Sequence, residues 1–274
     1  MALSGYDHTR ISCFDSLDKS AWTDEWSDLA STGFDIIMTN PPFGTKIAIT
    51  NKEILNNFLL AHKWEYSKVD GAWKATDKLL NKQDPQVLFI ERCVQLLKPS
   101  GKFGIVLPEG IVGNKQSAYI LDYLRAEGQI FAIIDAPRTL FQPSTDIKTV
   151  LLFFQKRCST KESLDRDLFM AEIRHCGHDR RGKTIFDDGR NVLNEFTRID
   201  YPIKNNSSRF GFLLKNNDYD PYYLIPRYYN PEIVGILDKL ERENKVDVIS
   251  LGELEHKKLL RYLGDMNQDR KYTV

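Results

Sequence analysis

The stretch FDIIMTNPPFG, residues 34–44, constrains the fold of this chain more than any other. Its first six residues, Phe34–Thr39, are mostly apolar or β-branched and predict a short buried strand. Asn40-Pro41-Pro42 must end that strand, because a proline fixes its own φ and cannot donate a backbone hydrogen bond to a neighbouring strand. Ligands of open α/β sheets bind at the carboxyl ends of strands. The sequence therefore predicts a rigid loop at a ligand-binding edge.

The loop offers a carboxamide, a proline carbonyl and an aromatic ring, and these groups suit chemistry on an amino group of a base. The adenine amino nitrogen is a poor nucleophile because its lone pair is delocalised into the ring. The Asn40 side-chain oxygen and the Pro41 carbonyl can each accept one amino hydrogen, and rigid acceptors are aligned before reaction. Phe43 can stack on a base that has left the duplex.

A purely structural role for this loop is the alternative, in which Pro41-Pro42 only ends the strand and Phe43 lies in the core. For an isolated Asn-Pro-Pro sequence the two interpretations are about equally supported. The aspartate and apolar residues before the loop, and Phe43-Gly44 at its end, favour the functional interpretation.

Composition limits the remaining possibilities. The 274 residues carry 38 basic and 38 acidic side chains, so DNA binding has to come from a local patch or from a partner. No apolar run is long enough for a membrane span, and the first residues do not form a signal-peptide pattern. The four cysteines have no paired spacing, which favours a reducing compartment and a cytoplasmic location; they are Cys13, Cys93, Cys158 and Cys176.

The chain beyond residue 84 alternates between helix and strand patterns. Asp84-Pro85 predicts the start of a helix that ends near Pro99 and Gly101. Strands at residues 102–107, 130–136 and 149–155, with a helix at 115–127, predict an α/β sheet whose last strand returns antiparallel. The lysine-rich residues 45–83 leave two interpretations open: a mobile loop over the site that touches phosphate, or a solvated loop with a helix near residues 53–62.

Two longer segments resemble a known family: DPQVLFIERCVQLLKPSGKFGIVLPEGIVGN and IFAIIDAPRTLFQPSTDIKTVLLFFQK. Together with NPPF they resemble the modification subunit of type I restriction-modification systems, which methylates adenine in DNA, over about residues 1–190. Related tetrapeptides occur in enzymes that methylate guanine amino groups in ribosomal RNA or glutamine in proteins. The motif therefore indicates the reaction type more firmly than the substrate.

The resemblance implies a class I S-adenosylmethionine-dependent methyltransferase, with a Rossmann-like α/β sheet. It implies that Asn40, Pro41, Pro42 and Phe43 are the catalytic motif, with S-adenosylmethionine as the cofactor. Asp15, which follows a strand predicted at residues 11–14, becomes the cofactor contact; the alternative is that Asp15 caps a helix or turn. The implied partners are double-stranded DNA, a specificity subunit and, as a further candidate, a restriction subunit.

One part of the family pattern is missing from the sequence, namely the Gly-rich cofactor loop before Asp15. The sheet order of the family resembles 3-2-1-4-5-7-6, so two absent strands would lie between the strand at residues 11–14 and the Phe34 strand. We therefore expect an N-terminally incomplete sheet with unpaired backbone and exposed apolar surface, and a truncated chain that does not bind S-adenosylmethionine productively by itself. The alternative function is a non-catalytic DNA-binding or assembly module that retains the fold.

The sequence divides into residues 1–157 as a partial catalytic domain, 158–218 as a hairpin and extension, and 219–274 as a C-terminal extension. The last part resembles the entry to a target-recognition domain of specificity subunits, with an amphipathic helix carrying Ile233 and Ile236 and a strand at residues 246–251. His175-Cys176-Gly177-His178 predicts an extended hairpin with a turn at Arg181-Gly182, because no second ligand cluster for a metal has a suitable spacing.

Overall fold

A computed structural model describes residues 11–44, 47–159, 167–187, 191–199, 210–216 and 218–242. A six-stranded mixed sheet, in the order β1-β4-β6-β5-β7-β10, forms the centre of the fold. Its strands are β1 (Phe34–Thr39), β4 (Leu97–Pro108), β5 (Gly128–Asp135), β6 (Thr149–Lys156), β7 (Leu168–Glu172) and β10 (Phe212–Leu214). Two small ribbons pair β2 (His62–Ser67) with β3 (Ala72–Leu79) and β8 (Phe186–Asp187) with β9 (Asn191–Val192).

Six α-helices accompany the sheet in the described part of the chain: α1 (Asp24–Thr32), α2 (Lys52–Leu55), α3 (Pro85–Leu96), α4 (Gly110–Gly113), α5 (Ala118–Glu127) and α6 (Pro231–Arg242). The main core lies between the sheet and helices α3 and α5, where Phe103 and Phe154 stack with ring centroids 4.9 Å apart. A smaller cluster around Phe169 covers part of the opposite face, over β5 and β7. None of the helices described is both long and apolar enough to cross a membrane.

The α/β fold and the antiparallel return strand are confirmed. Strand β6 runs antiparallel to both β4 and β5. The order β1-β4-β6-β5 is the 4-5-7-6 portion of the expected sheet, and it begins at the predicted Phe34 strand.

Strand β1 is the open edge that the incomplete pattern predicted. It pairs in parallel with β4, and no other strand of the described residues pairs with its second side. Ile36 and Met38 are each 69% exposed. The prediction that β1 is fully buried is therefore wrong, because only the face that carries Ile37 packs against the core.

Residues 11–14 do not form the predicted strand, because they pair with no strand of the described sheet. The helix predicted at residue 85 begins there, although the Asp84 side chain makes no capping hydrogen bond. That helix ends at Leu96, earlier than predicted, and β4 begins at once. Gly101 lies inside this strand, where a Cβ atom would approach the carbonyl oxygens of Phe34 and Lys98 to 2.9 Å.

Residues 47–83 of the lysine-rich segment are not one long loop, because β2 and β3 occupy much of it. The predicted helix near residues 53–62 is reduced to α2 and the short 3-10 helix Leu59–Ala61. At the base of the ribbon, Gln83 donates to the Tyr119 hydroxyl in the first turn of α5. Further along, the Trp73 amide donates to Asp122 at 2.8 Å. The ribbon therefore packs along α5 as an outer layer.

Candidate active site

The predicted catalytic loop follows β1 directly, at the carboxyl edge of the sheet. Asn40 is exposed, Pro41 is buried, Pro42 is exposed and Phe43 is half-buried. Burial of Pro41 fixes the loop where it leaves the strand, and it leaves the Asn40 carboxamide accessible to a ligand. The described geometry therefore places an exposed acceptor, the Asn40 carboxamide, in a rigid loop at the ligand-binding edge of the sheet.

Phe43 has an aromatic neighbour from another connection. Its ring lies 6.3 Å from that of Phe141, at an interplanar angle of 72°, which is the edge-to-face arrangement that aromatic pairs prefer. Phe141 ends the 3-10 helix Arg138–Phe141, which follows β5 at the same edge of the sheet. The sequence analysis did not identify Phe141, although its place in a long connection after a strand was a signal.

Asp15 adopts the turn role that the sequence left open as the alternative. Its Oδ1 atom accepts a hydrogen bond from the Leu17 amide at 2.9 Å, and the side chain is exposed. The turn is held on helix α3 by Arg92, which donates to the Leu17 carbonyl at 2.9 Å and lies 4.6 Å from the centre of the Phe58 ring. Burial lowers the pKa of Arg92 to about 10. The cofactor contact of Asp15 stays a prediction.

A cavity of about 440 Å³ lies between the N-terminal segment, α1 and β1. Its lining is mostly apolar and includes Phe14, Trp22, Trp26, Phe34 and Leu96. Ile37 also lines the cavity and lies three residues before Asn40, so at about 3.3 Å per residue roughly 10 Å of strand separates them. The cavity thus runs along β1 from Phe34 to Ile37.

Three ion pairs meet where β4 and β5 end. Asp135, the last residue of β5, is fully buried and contacts Lys148 at 2.8 Å and Arg227 at 3.0 Å. Arg227 also pairs with Glu109, which directly follows β4. Burial raises the pKa of Asp135, but the two cations lower it by more, so that its pKa lies below the ordinary value.

Residues 219–232, hereafter the strap, carry Arg227 across this edge. The Leu224 amide donates to the Val112 carbonyl at 2.8 Å, and Tyr222 donates to Asp122 on α5. A second buried cluster holds the C-terminal end of the strap, where Glu172 accepts hydrogen bonds from Arg174 and from Asn230. The predicted helix with Ile233 on its buried face is α6, whereas the strand predicted at residues 246–251 lies outside the described residues. The domain boundary at residue 219 stays a prediction.

The segment after β7 contains the predicted turn, since His178 and Thr184 form an antiparallel bridge and Gly182 has a φ of 80°. The Cys176 sulfur lies 3.6 Å from the His178 Nε2 atom and 3.3 Å from the Thr139 hydroxyl. The described residues contain no group of three side chains that could hold a metal ion.

The model of the family described as N-6 DNA Methylase matches residues 1–197. The chain belongs to this family. A type I restriction enzyme EcoEI methylase subunit from Escherichia coli is 30% identical to this chain over 129 residues. That match spans 47% of the chain and 22% of the relative, so the chain matches about a fifth of the length of this curated protein.

Solved structures similar to this chain include methyltransferase subunits of type I restriction-modification systems. A type I methyltransferase subunit from Streptococcus thermophilus matches with 23% identity and a TM-score of 0.45, covering 77% of this chain and 40% of that one. The EcoKI M protein matches with 15% identity and a TM-score of 0.36, covering 88% of this chain and 50% of that one.

Proposed function

We propose that this chain acts in the transfer of a methyl group to the exocyclic amino group of adenine in DNA, as the modification subunit of a type I restriction-modification system. The observation that carries the proposal is the Asn40–Phe43 loop at the carboxyl end of β1, in a chain that belongs to the N-6 DNA methylase family. The alternative function, a non-catalytic DNA-binding or assembly module, has no comparable support. It does not explain why the accessible Asn40 follows a strand and precedes the buried Pro41.

The loop would act on the methyl acceptor. The Asn40 oxygen and the Pro41 carbonyl would each accept one amino hydrogen and draw the nitrogen out of the plane of the base, which frees its lone pair. During attack the nitrogen gains positive charge, and two fixed carbonyl dipoles stabilise that charge. Phe43, supported by Phe141, would stack on the extruded base.

S-adenosylmethionine is the proposed methyl donor, and its sulfonium group supplies an activated methyl without a metal. Asp15 is the proposed contact to it, through the carboxylate oxygen that does not accept from Leu17.

Double-stranded DNA and a specificity subunit are the proposed partners, with a restriction subunit as a further candidate. A DNA substrate and free cysteines agree with the predicted cytoplasmic location. Since the whole chain is neutral, the DNA contacts have to come from a local patch or from a partner.

The test is the transfer of labelled methyl groups to DNA, RNA and protein, followed by nucleoside and amino-acid analysis. We expect N6-methyladenine in DNA, and at least a hundredfold less of it with Asn40→Ala. Asn81→Ala, at an exposed asparagine on the β3–α3 connection, is the matched control. Transfer that survives Asn40→Ala, or label only in RNA or protein, would contradict the proposal. If no transfer occurs because the donor is not bound, a base-binding measurement without donor decides the role of the loop.

A further inference from the structure

Arg227 joins the ends of β4 and β5, two strands that β6 separates in the sheet. One guanidinium nitrogen, Nη1, donates to the carboxylates of both Glu109 and Asp135, and Nη2 donates to the Tyr228 hydroxyl at 2.9 Å. Arg227 is only 5% exposed, so these contacts form in a region that excludes water. A buried cation shared by two carboxylates holds both of them at a fixed separation.

The two carboxylates belong to connections that lead to the site. Glu109 directly follows β4, the parallel neighbour of the strand that carries Asn40. Asp135 ends β5, six residues before Phe141, which contacts Phe43. A change in the distance between these two strand ends would therefore shift β4, which pairs with the strand before the catalytic loop, or Phe141, which contacts Phe43.

Lys148 also connects the ends of β4 and β5. Its carbonyl accepts from the Glu109 amide at 2.9 Å, and its ammonium donates to the Ala136 carbonyl at 2.6 Å. The group thus contains two anions and two cations. Loss of Arg227 would leave Asp135 with Lys148 alone and would remove from Glu109 the guanidinium that it pairs with.

The strap has no freedom to place Arg227 elsewhere. Leu224 and Ile225 are each 2% exposed, and a Cβ atom on Gly113 would lie 2.3 Å from the Ile225 Cδ1 atom. The strap therefore enters this edge as a packed element, and its arginine arrives in a defined position.

We propose that Arg227 is a positioning residue for the base-binding site, because it fixes the ends of β4 and β5 and thereby the contact of Phe141 with Phe43. This inference rests on the proposed function for the meaning of the site, but the coupling that it states is a property of the fold. The strap is accordingly part of the catalytic unit, and α6, which begins at Pro231, starts from a point fixed to that unit.

The experiment is hydrogen exchange of the full chain with mass-spectrometric detection, on wild type, Arg227→Lys, Arg227→Met and Glu109→Gln. We expect exchange in peptides from residues 108–114 and 136–148 to rise at least tenfold in Arg227→Met and Glu109→Gln, and less in Arg227→Lys. The matched control is Arg125→Met, because Arg125 also anchors the strap, through the Pro221 carbonyl at 2.7 Å, while its guanidinium pairs with Asp122 on α5. In this control only the start of the strap and α5 should exchange faster.

The second measurement is the affinity for a single strand that contains adenine, which should stay unchanged if Arg227 only stabilises the fold. Glu109→Gln and Arg227→Met should weaken it several-fold, and Arg227→Lys should recover part of the loss. Unchanged exchange at residues 136–148 in Glu109→Gln, or equal effects of Arg125→Met there, would overturn the inference. If exchange is faster in the variants but wild type binds no adenine, the positioning role of Arg227 is upheld and the proposed function is contradicted. If Arg227→Met does not fold, Glu109→Gln and Arg227→Lys decide alone.

Discussion

The rings of Phe43 and Phe141 meet edge to face with centroids 6.3 Å apart, and this contact joins the connection after β1 to the connection after β5. The two segments are distant in sequence and lie at one edge of the sheet. The contact supports the aromatic ring that we propose to stack on the base, and it makes the second connection part of the site.

Replacing Phe141 by leucine should weaken base binding without unfolding the chain. An edge-to-face pair contributes about 0.5–1.5 kcal/mol beyond buried area, which corresponds to a loss of roughly two- to tenfold. Phe186→Leu, at a ring that is 54% exposed in β8, is the control and should bind like wild type. Fluorescence anisotropy of a dye-labelled single strand measures this, and equal affinity of Phe141→Leu and wild type would contradict the role.

Gly128 at the start of β5 should not tolerate a side chain. A Cβ atom there would lie 2.2 Å from the Gln155 carbonyl oxygen and 3.0 Å from the Lys156 Cα atom, both in the backbone of β6. We expect Gly128→Ala to lower the free energy of unfolding by about 1–3 kcal/mol or more. Gly110→Ala, where no atom lies within 4 Å, should change it by less than about 0.5 kcal/mol. Urea unfolding would contradict the account if both variants were equally stable.

Asp135→Asn should destabilise the chain in a pH-dependent way. The pKa of Asp135 is lower in the folded chain, so its contribution is present above the unfolded value of about 3.9 and is lost as pH falls through the folded value. At pH 7 the variant leaves Lys148 and Arg227 without their shared anion, a loss of about 3–5 kcal/mol.

The measurement is urea unfolding of wild type and Asp135→Asn between pH 7 and pH 3. The difference in unfolding free energy should stay constant down to about pH 4 and shrink below it. Asp70→Asn, which removes an exposed ion pair with Lys74, is the control and should show little difference at any pH. A difference for Asp135→Asn that grows toward acid would contradict the assignment.

The open edge of β1 should cause self-association. A strand with unpaired backbone and exposed apolar side chains pairs readily with other chains. We expect the double variant Ile36→Lys/Met38→Lys to sediment as a smaller species than wild type at the same concentration. Val69→Lys, at a side chain 96% exposed in the β2–β3 turn, is the control and should not change sedimentation. If all three proteins sediment identically, the edge of β1 does not cause self-association.

Local pattern was sufficient for the central elements of the fold. Phe34–Thr39 was predicted as a strand because the apolar run and the two prolines agree, and helix α3 because Pro85 suits a first helical position. The exposure of β1 was predictable only from the sheet order, since Ile36 and Met38 look like core residues in the sequence.

The β2–β3 ribbon was missed although its signals were present. Trp64 and Tyr66 alternate with charged residues, and Asp70-Gly71 before Trp73 is a typical hairpin turn. The lysines of this segment suggested a loop instead. Phe141 and Arg227 are different: their partners Phe43, Glu109 and Asp135 are distant in sequence, so only tertiary packing brings them to the site.

The most direct measurement compares the binding of two oligothymidine strands, one with a single adenine and one with purine, which lacks the amino group, at that position. Wild type should prefer adenine about five- to tenfold, because two carbonyl acceptors face its amino hydrogens. Asn40→Ala should lose most of this preference, Phe43→Leu should weaken both strands alike, and Asn81→Ala should match wild type. Equal binding of adenine and purine by wild type, or a preference that Asn40→Ala retains, would contradict the claim that the Asn40–Phe43 loop receives an adenine.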